Sequence, residues 1–147
     1  MTKKDELLRI ATALRKGSPH FSSGWNIGFL QAFIRDGGRC VYCGKEVMDE
    51  FCVACGDHLL PKRLYPSLSE NVDNLVPACA NCNSIKKDYD PSDGKGSGMV
   101  LTEAIRESLI EKGKALITER KNQYLQDFRA CEAAFRQAVS EYRRILS

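Results

Sequence analysis

Two Cys-x-x-Cys pairs, Cys40-Val41-Tyr42-Cys43 and Cys79-Ala80-Asn81-Cys82, constrain this chain more than any other feature. Four thiolates match the tetrahedral preference of zinc, so two such pairs can close one structural site. A third pair, Cys52-Val53-Ala54-Cys55, lies between them and competes for the ion. Spacing alone does not choose among the three. If the residues leading into Asp57 form a strand, Cys52 and Cys55 point to opposite faces and cannot share one ion. That favours the outer pairs and leaves Cys52 and Cys55 as small buried apolar residues. Six of the seven cysteines fall in such pairs. In a reducing compartment that pattern reads as metal binding before disulfides.

The residues between and just after the outer pairs are more than a structural metal site requires. They include Asp57-His58, a basic loop at Pro61-Lys62-Arg63, Asn74 shortly before Cys79, Asn83 directly after Cys82, and Lys86. Asp57 offers a hard oxygen suited to Mg²⁺, and Asn83 can add its carbonyl oxygen. Two protein ligands leave room for waters and phosphate oxygens. On a strand, His58 points away from its neighbour Asp57, and an imidazole titrating near neutrality can take a proton from water. Taken singly, each residue has a plainer reading. Asn83 can cap a helix, and Lys62, Arg63 and Lys86 can be surface charge.

Taken together, the series Asp57-His58-Leu59-Leu60-Pro61-Lys62, then Asn74-Leu75-Val76-Pro77-Ala78-Cys79-Ala80-Asn81-Cys82-Asn83-Ser84-Ile85-Lys86, resembles the HNH endonucleases, a family of ββα-metal nucleases. The lead-in Arg35-Asp36-Gly37-Gly38-Arg39-Cys40 resembles the opening of its zinc-bearing members. The resemblance covers about residues 35 to 90. It implies a structural zinc on Cys40, Cys43, Cys79 and Cys82, and a catalytic Mg²⁺ or Mn²⁺ on Asp57 and Asn83. It implies His58 as general base and Asn74 as the middle asparagine that ties down the histidine loop. It also implies phosphodiester hydrolysis leaving 3′-hydroxyl and 5′-phosphate ends. Lys86 matches a lysine expected near phosphate, and Lys62 and Arg63 join it as candidate nucleic-acid contacts. Many relatives carry a third histidine where Asn83 stands, although asparagine also occurs there.

The net charge of +3 does not by itself argue for a nucleic-acid partner. Residues 40–99 carry six Lys/Arg against nine Asp/Glu, whereas the flanks are basic, seven against three before and nine against seven after. Phosphate attraction is therefore expected to come largely from the flanks. The charged start, Met1-Thr2-Lys3-Lys4, and the absence of a long apolar run predict a cytoplasmic protein without a membrane span.

Apolar spacing predicts an amphipathic helix over 4–16 and a second over 23–36 capped by Ser22 or Ser23. A small β-hairpin is expected over 45–57, a loop over 59–73, and a short helix from about Asn83. The turn-rich stretch 90–98 reads as a flexible linker. The C-terminal region 100–147 is helical from Thr102, with Gly113 weakening its middle. From Tyr124 the steps alternate four and three through Phe128, Cys131, Phe135, Ala138, Tyr142 and Ile145, which is the heptad period. The expectation is a helix docked on its own domain, with Cys131 in the core. A coiled-coil homodimer is the alternative.

The chain thus reads as one mostly helical α+β domain: N-terminal helices over 1–34, a zinc-stapled HNH module over 35–89, a linker and a C-terminal helical region. The expected function is metal-dependent hydrolysis of DNA, with RNA left open, by a monomer. The rivals are a zinc module that binds nucleic acid without cutting and a dithiol redox protein using Cys52 and Cys55.

Overall fold

Helix α1, Lys3–Gly17, begins with a reciprocal cap. The Thr2 hydroxyl accepts from Asp5 N at 3.1 Å, and the Asp5 carboxylate accepts from Thr2 N at 2.9 Å. Two otherwise orphaned amides are satisfied at once. The computed structural model describes residues 1–22, 25–47 and 54–147. A single turn, α2, follows at Pro19–Ser22. Helix α3 spans Ile27–Arg35, so it starts later than the apolar pattern suggested. Its cap is Asn26, whose carboxamide oxygen accepts from Gly28 N at 2.8 Å and Phe29 N at 3.3 Å. Ser22 ends α2 instead, and Ser23 lies outside the described residues. Trp25 precedes the helix and packs edge-on against Phe33 and Phe21, each at 5.2 Å.

The sheet has two antiparallel strands, β1 at Ala54–His58 and β2 at Leu75–Cys79, with Asp57 opposite Val76 and His58 opposite Leu75. The hairpin expected over 45–57 is therefore corrected. The strand carrying Asp57 pairs with the segment before the second cysteine pair, and Glu46 bridges Arg39 instead. Residues 48–53 lie outside the described residues. Helix α4, Ala80–Lys86, starts earlier than Asn83 because the Cys79 sulfur caps it, accepting from Cys82 N at 3.4 Å.

Helix α5, Glu103–Leu146, runs 44 residues and is capped by Thr102. That is about 66 Å, longer than the rest of a small domain. Leu109, Gly113 and Ile117 are its buried positions. They recur every four residues, so one stripe packs on the module. Arg120 closes that contact, donating to the carbonyls of Ile85 and Lys86 at 2.8 and 2.9 Å, the C-terminal end of α4. Beyond it the helix leaves the domain. Tyr124, Phe128, Phe135, Tyr142 and Ile145 are exposed, and so is Cys131. The docked-helix expectation is thus overturned, and Cys131 is not a core residue.

The main core joins Phe33, Tyr42, Val47, Leu59, Val76, Ala78 and Ile117 to Cys40, Cys79 and Cys82. A smaller cluster of Leu60, Tyr65, Leu101 and Leu109 lies under the 90–98 segment. That segment is held from below. The Tyr65 hydroxyl donates to Asp90 Oδ2 at 2.7 Å and accepts from Gly96 N at 3.2 Å, and Pro91, Ser92 and Gly96 are buried. No helix among the described residues is long and apolar enough to cross a membrane.

Two glycines set the packing around β1. A Cβ on Gly56 would lie 2.1 Å from the Phe29 ring, so α3 crosses the strand only because position 56 has no side chain. Gly113, expected to weaken α5, instead faces the Tyr42 ring, which a Cβ there would approach to 2.8 Å. Gly56→Ala is therefore expected to lower stability by about 1–3 kcal/mol through overpacking. Gly17→Ala, with nothing within 4 Å of the new methyl, should leave it nearly unchanged. Urea denaturation of both variants checks this, and equal stabilities would refute the crossing of Phe29 over β1.

Candidate metal centre and nuclease site

The four sulfurs of Cys40, Cys43, Cys79 and Cys82 lie within 4.8 Å of one another, and those of Cys43 and Cys79 are 3.7 Å apart. Thiolates bound at about 2.3 Å to one tetrahedral ion stand close to that far apart. The donor set therefore fits a structural metal such as zinc. Cys55 is half-buried opposite Ala78 and outside the cluster, while Cys52 lies outside the described residues.

Local backbone explains the arrangement. After Cys43 the chain turns through Gly44 at φ +78°, and Gly44 N donates to Cys40 O at 2.8 Å. Val41 N donates to Pro77 O at 3.1 Å, which docks the first knuckle on β2. Burial pushes the Cys40 and Cys82 thiols above their ordinary range, and the neighbouring thiols push Cys82 further. Burial acts the same way on Cys79, but hydrogen bonds from the Cys82 backbone, Cys82, Cys43 and Cys40 outweigh it and hold that thiol lower.

Alternation along β1 separates the two candidate catalytic side chains. Asp57 is buried and faces the core, where its Oδ2 accepts from the Tyr42 hydroxyl at 2.6 Å and from Lys86 Nζ at 3.0 Å. Among the described residues, no hydrogen bond goes to Oδ1. Burial first, then the Asp57 charge, pushes the Tyr42 phenol well above its ordinary range, so it stays a donor. His58 faces the other way, edge-on to Phe29 at 5.7 Å. Its Nε2 donates to the Ser69 carbonyl at 2.9 Å. A carbonyl can only accept, so in the neutral ring the proton sits on Nε2 and Nδ1 carries the lone pair, with no hydrogen-bond partner among the described residues.

Asn74 is fully buried, at 0% exposure. Its Oδ1 accepts from Leu60 N at 2.8 Å, and its Nδ2 donates to the carbonyls of Leu60 and Leu68 at 3.0 and 3.3 Å. It thus clamps the loop leaving His58, a positioning role. Asn83 is half-buried on α4, one turn before Lys86 and so on the same side of the helix. Among the described residues its carboxamide has no hydrogen-bond partner. Lys62 and Arg63 are exposed, and Arg63 pairs with Asp88 at 3.5 Å.

Lys86 requires a correction. It is 1% exposed, and its ammonium also donates to the His58 carbonyl at 3.0 Å. The helical period turns Cys82 and Lys86 to the same inward face, so Lys86 is not a surface contact for phosphate. Sequence reasoning also passed over Tyr42, Phe29, Gly56 and Ser69. Tyr42 carried one signal, a phenol between two metal ligands. Ser69 contributes only backbone and left none.

Residues 40–89 match the HNH endonuclease family model. This segment is an HNH domain. Residues of the chain are also 40% identical over 52 positions to the Septu protein PtuB of Bacillus thuringiensis. That match covers 35% of this chain and 20% of PtuB. No solved structure is significantly similar to the chain. The domain supports a nuclease-type function, and its cysteine cluster can hold a structural metal.

Four outcomes are expected. Cys79→Ser should lose zinc, measured by elemental analysis, together with the cooperative fold, whereas Cys131→Ser should keep both. Zinc retention should also fall as pH falls, because protons compete for the thiolates. Lys86→Met should cost about 3–5 kcal/mol by leaving the Asp57 charge buried without its counter-ion. Tyr42→Phe should cost about 1–3 kcal/mol, the loss of one buried hydrogen bond to a charged group. Urea denaturation of the zinc-loaded chain checks both, and a neutral Lys86→Met would mean the ammonium is solvated.

Proposed function

We propose that this chain is a metal-dependent endonuclease that hydrolyses phosphodiester bonds in DNA, with His58 as general base. The observation that carries the reading is the bond from His58 Nε2 to the Ser69 carbonyl, which leaves Nδ1 as a free proton acceptor. A base must be held in one tautomer and aimed, and both Ser69 and the Asn74 clamp serve that end. Asp57, through its Oδ1, and Asn83, through its unpartnered carboxamide, are the residues that would hold a Mg²⁺ or Mn²⁺ ion. Such an ion, when bound, stabilises charge on the leaving oxygen. His58 Nδ1 takes a proton from the attacking water on the far side of the phosphorus. Lys62 and the basic flanking helices supply phosphate attraction. The helices and the module act as one domain, since α1 packs on α3, α3 on β2 and α5 on α4.

One observation favours a second reading, a zinc module that binds nucleic acid without cutting. The Lys86 ammonium already neutralises Asp57 at 3.0 Å, as a bound cation would.

Supercoiled plasmid incubated with the protein should be nicked in Mg²⁺ or Mn²⁺ and not in EDTA. His58→Ala should lose about 10²–10⁴ in rate while keeping zinc and fold. Asp57→Ala and Asn83→Ala should lose activity that extra metal partly restores, which it should not do for His58→Ala. A fully active His58→Ala would sink the mechanism. An inactive wild type that still retards DNA would select the binding module.

A further inference from the structure

Beyond Arg120, helix α5 continues for 26 residues without a tertiary partner among the described residues. In proteins most helical stability comes from packing of an amphipathic face rather than from propensity, so a run of this length calls for a partner. The face it presents is not that of a solvated helix. Tyr124, Phe128, Cys131, Phe135, Ala138, Tyr142 and Ile145 form an unbroken heptad seam in which no core position is charged. Phe135 is 59% exposed, Tyr142 62% and Ile145 79%. The charged residues stand beside the seam, and several are already matched within the helix, such as Arg136 with Glu132 at 2.7 Å.

We infer that this seam pairs with the same seam of a second copy of the chain, in an antiparallel coiled coil. Three observations choose this occupant. First, the seam is apolar with a sustained 4–3 period, which is what a like helix accepts in knobs-into-holes packing. Second, the area suffices. With aromatic side chains of about 150–250 Å² each, the exposed seam offers on the order of 600 Å² per chain. Doubled, that is about 1,200 Å², the lower bound for a stable specific interface. Third, the sizes are self-complementary. The large residues Phe128 and Phe135 alternate with the small Cys131 and Ala138. A parallel pair would stack Phe on Phe and Ala on Ala, alternating thick and thin layers. An antiparallel pair centred near Ala133 sets Phe135 against Cys131, Phe128 against Ala138 and Tyr142 against Tyr124 of the second copy. The inner layers, each a large residue against a small one, allow the two axes to keep one distance, about 8–10 Å, through the middle of the rod, with the Tyr142–Tyr124 layers at its ends.

The two HNH modules then lie at opposite ends of the rod. Counting from its centre to Ile117 on each side, about 50 Å of helix separates their points of attachment.

The test is the mass of the full, zinc-loaded chain in solution, by light scattering across about 1–50 µM. A dimer of the 16.5 kDa chain is expected. Phe128→Glu with Phe135→Glu should weaken dimerisation at least about 100-fold, an effect of roughly 2.7 kcal/mol or more. It should also lower helicity by circular dichroism while leaving the zinc content at the wild-type value. A monomer at all concentrations, or a dimer indifferent to the two substitutions, would overturn the proposal. Copper-catalysed oxidation tests the orientation. In the antiparallel pair the two Cys131 residues are offset by about 6 Å along the axis and should stay largely reduced. Rapid formation of a Cys131–Cys131 linked dimer would overturn the antiparallel arrangement.

Discussion

Four thiolates within 4.8 Å of one another would repel strongly without a cation among them, and the module is arranged around that cluster. The cluster joins the turn at Cys40–Cys43 to the junction of β2 and α4, and Cys79 belongs to all three devices at once. It is the last residue of the strand, the cap of the helix and a member of the cluster. Its neighbours Cys40 and Cys82 count among the residues of the main core. A metal bound here would replace part of the hydrophobic packing that so small a sheet cannot supply alone.

From that staple the candidate site follows by short steps. Fixing β2 fixes β1 through five paired residues, and β1 sends Asp57 inward and His58 outward. Fixing α4 brings Lys86 and Asn83 to the Asp57 side. Tyr42, carried on the first knuckle, then reaches Asp57 beneath α5, where Gly113 leaves it room. On the opposite face Phe29 fills the space left by Gly56 and stands edge-on to His58. His58 and Asp57 thus belong to different packing environments although they are adjacent in sequence.

The Asp57–Lys86–Tyr42 contact is better understood as orientation than as stabilisation. Desolvating a carboxylate and an ammonium costs several kcal/mol each, which their attraction only partly offsets. What the arrangement secures is that Oδ2 is committed and the carboxylate cannot rotate freely. Such rigidity matters for a group proposed to bind metal through its other oxygen.

How much of this was legible in the chain depends on the kind of interaction involved. The four clustering cysteines were nameable from the sequence, although spacing alone left three pairs open and it took the strand argument and the HNH resemblance to favour the outer two; the His58, Asn74 and Asn83 candidates came from that resemblance as well. The start of α5 at Thr102 was read from local sequence, whereas the Thr2 capping box of α1, although equally local, went unread. The cap of α3 was misplaced because Asn26 and Ser22 or Ser23 all satisfy the local rule, and only the packing of Phe29 across Gly56 selects among them. The pairing of β1 with β2 spans a loop of 16 residues, and no local period encodes which distant strand a short segment will join. Burial of Lys86 went unread because a lysine in a basic run looks like surface charge until a buried carboxylate stands opposite it. The heptad seam of α5 was plain in the sequence, but its freedom was not. A period specifies that a helix has an apolar face, whereas only the fold decides whether its own domain is broad enough to cover it, and here the domain ends at Arg120.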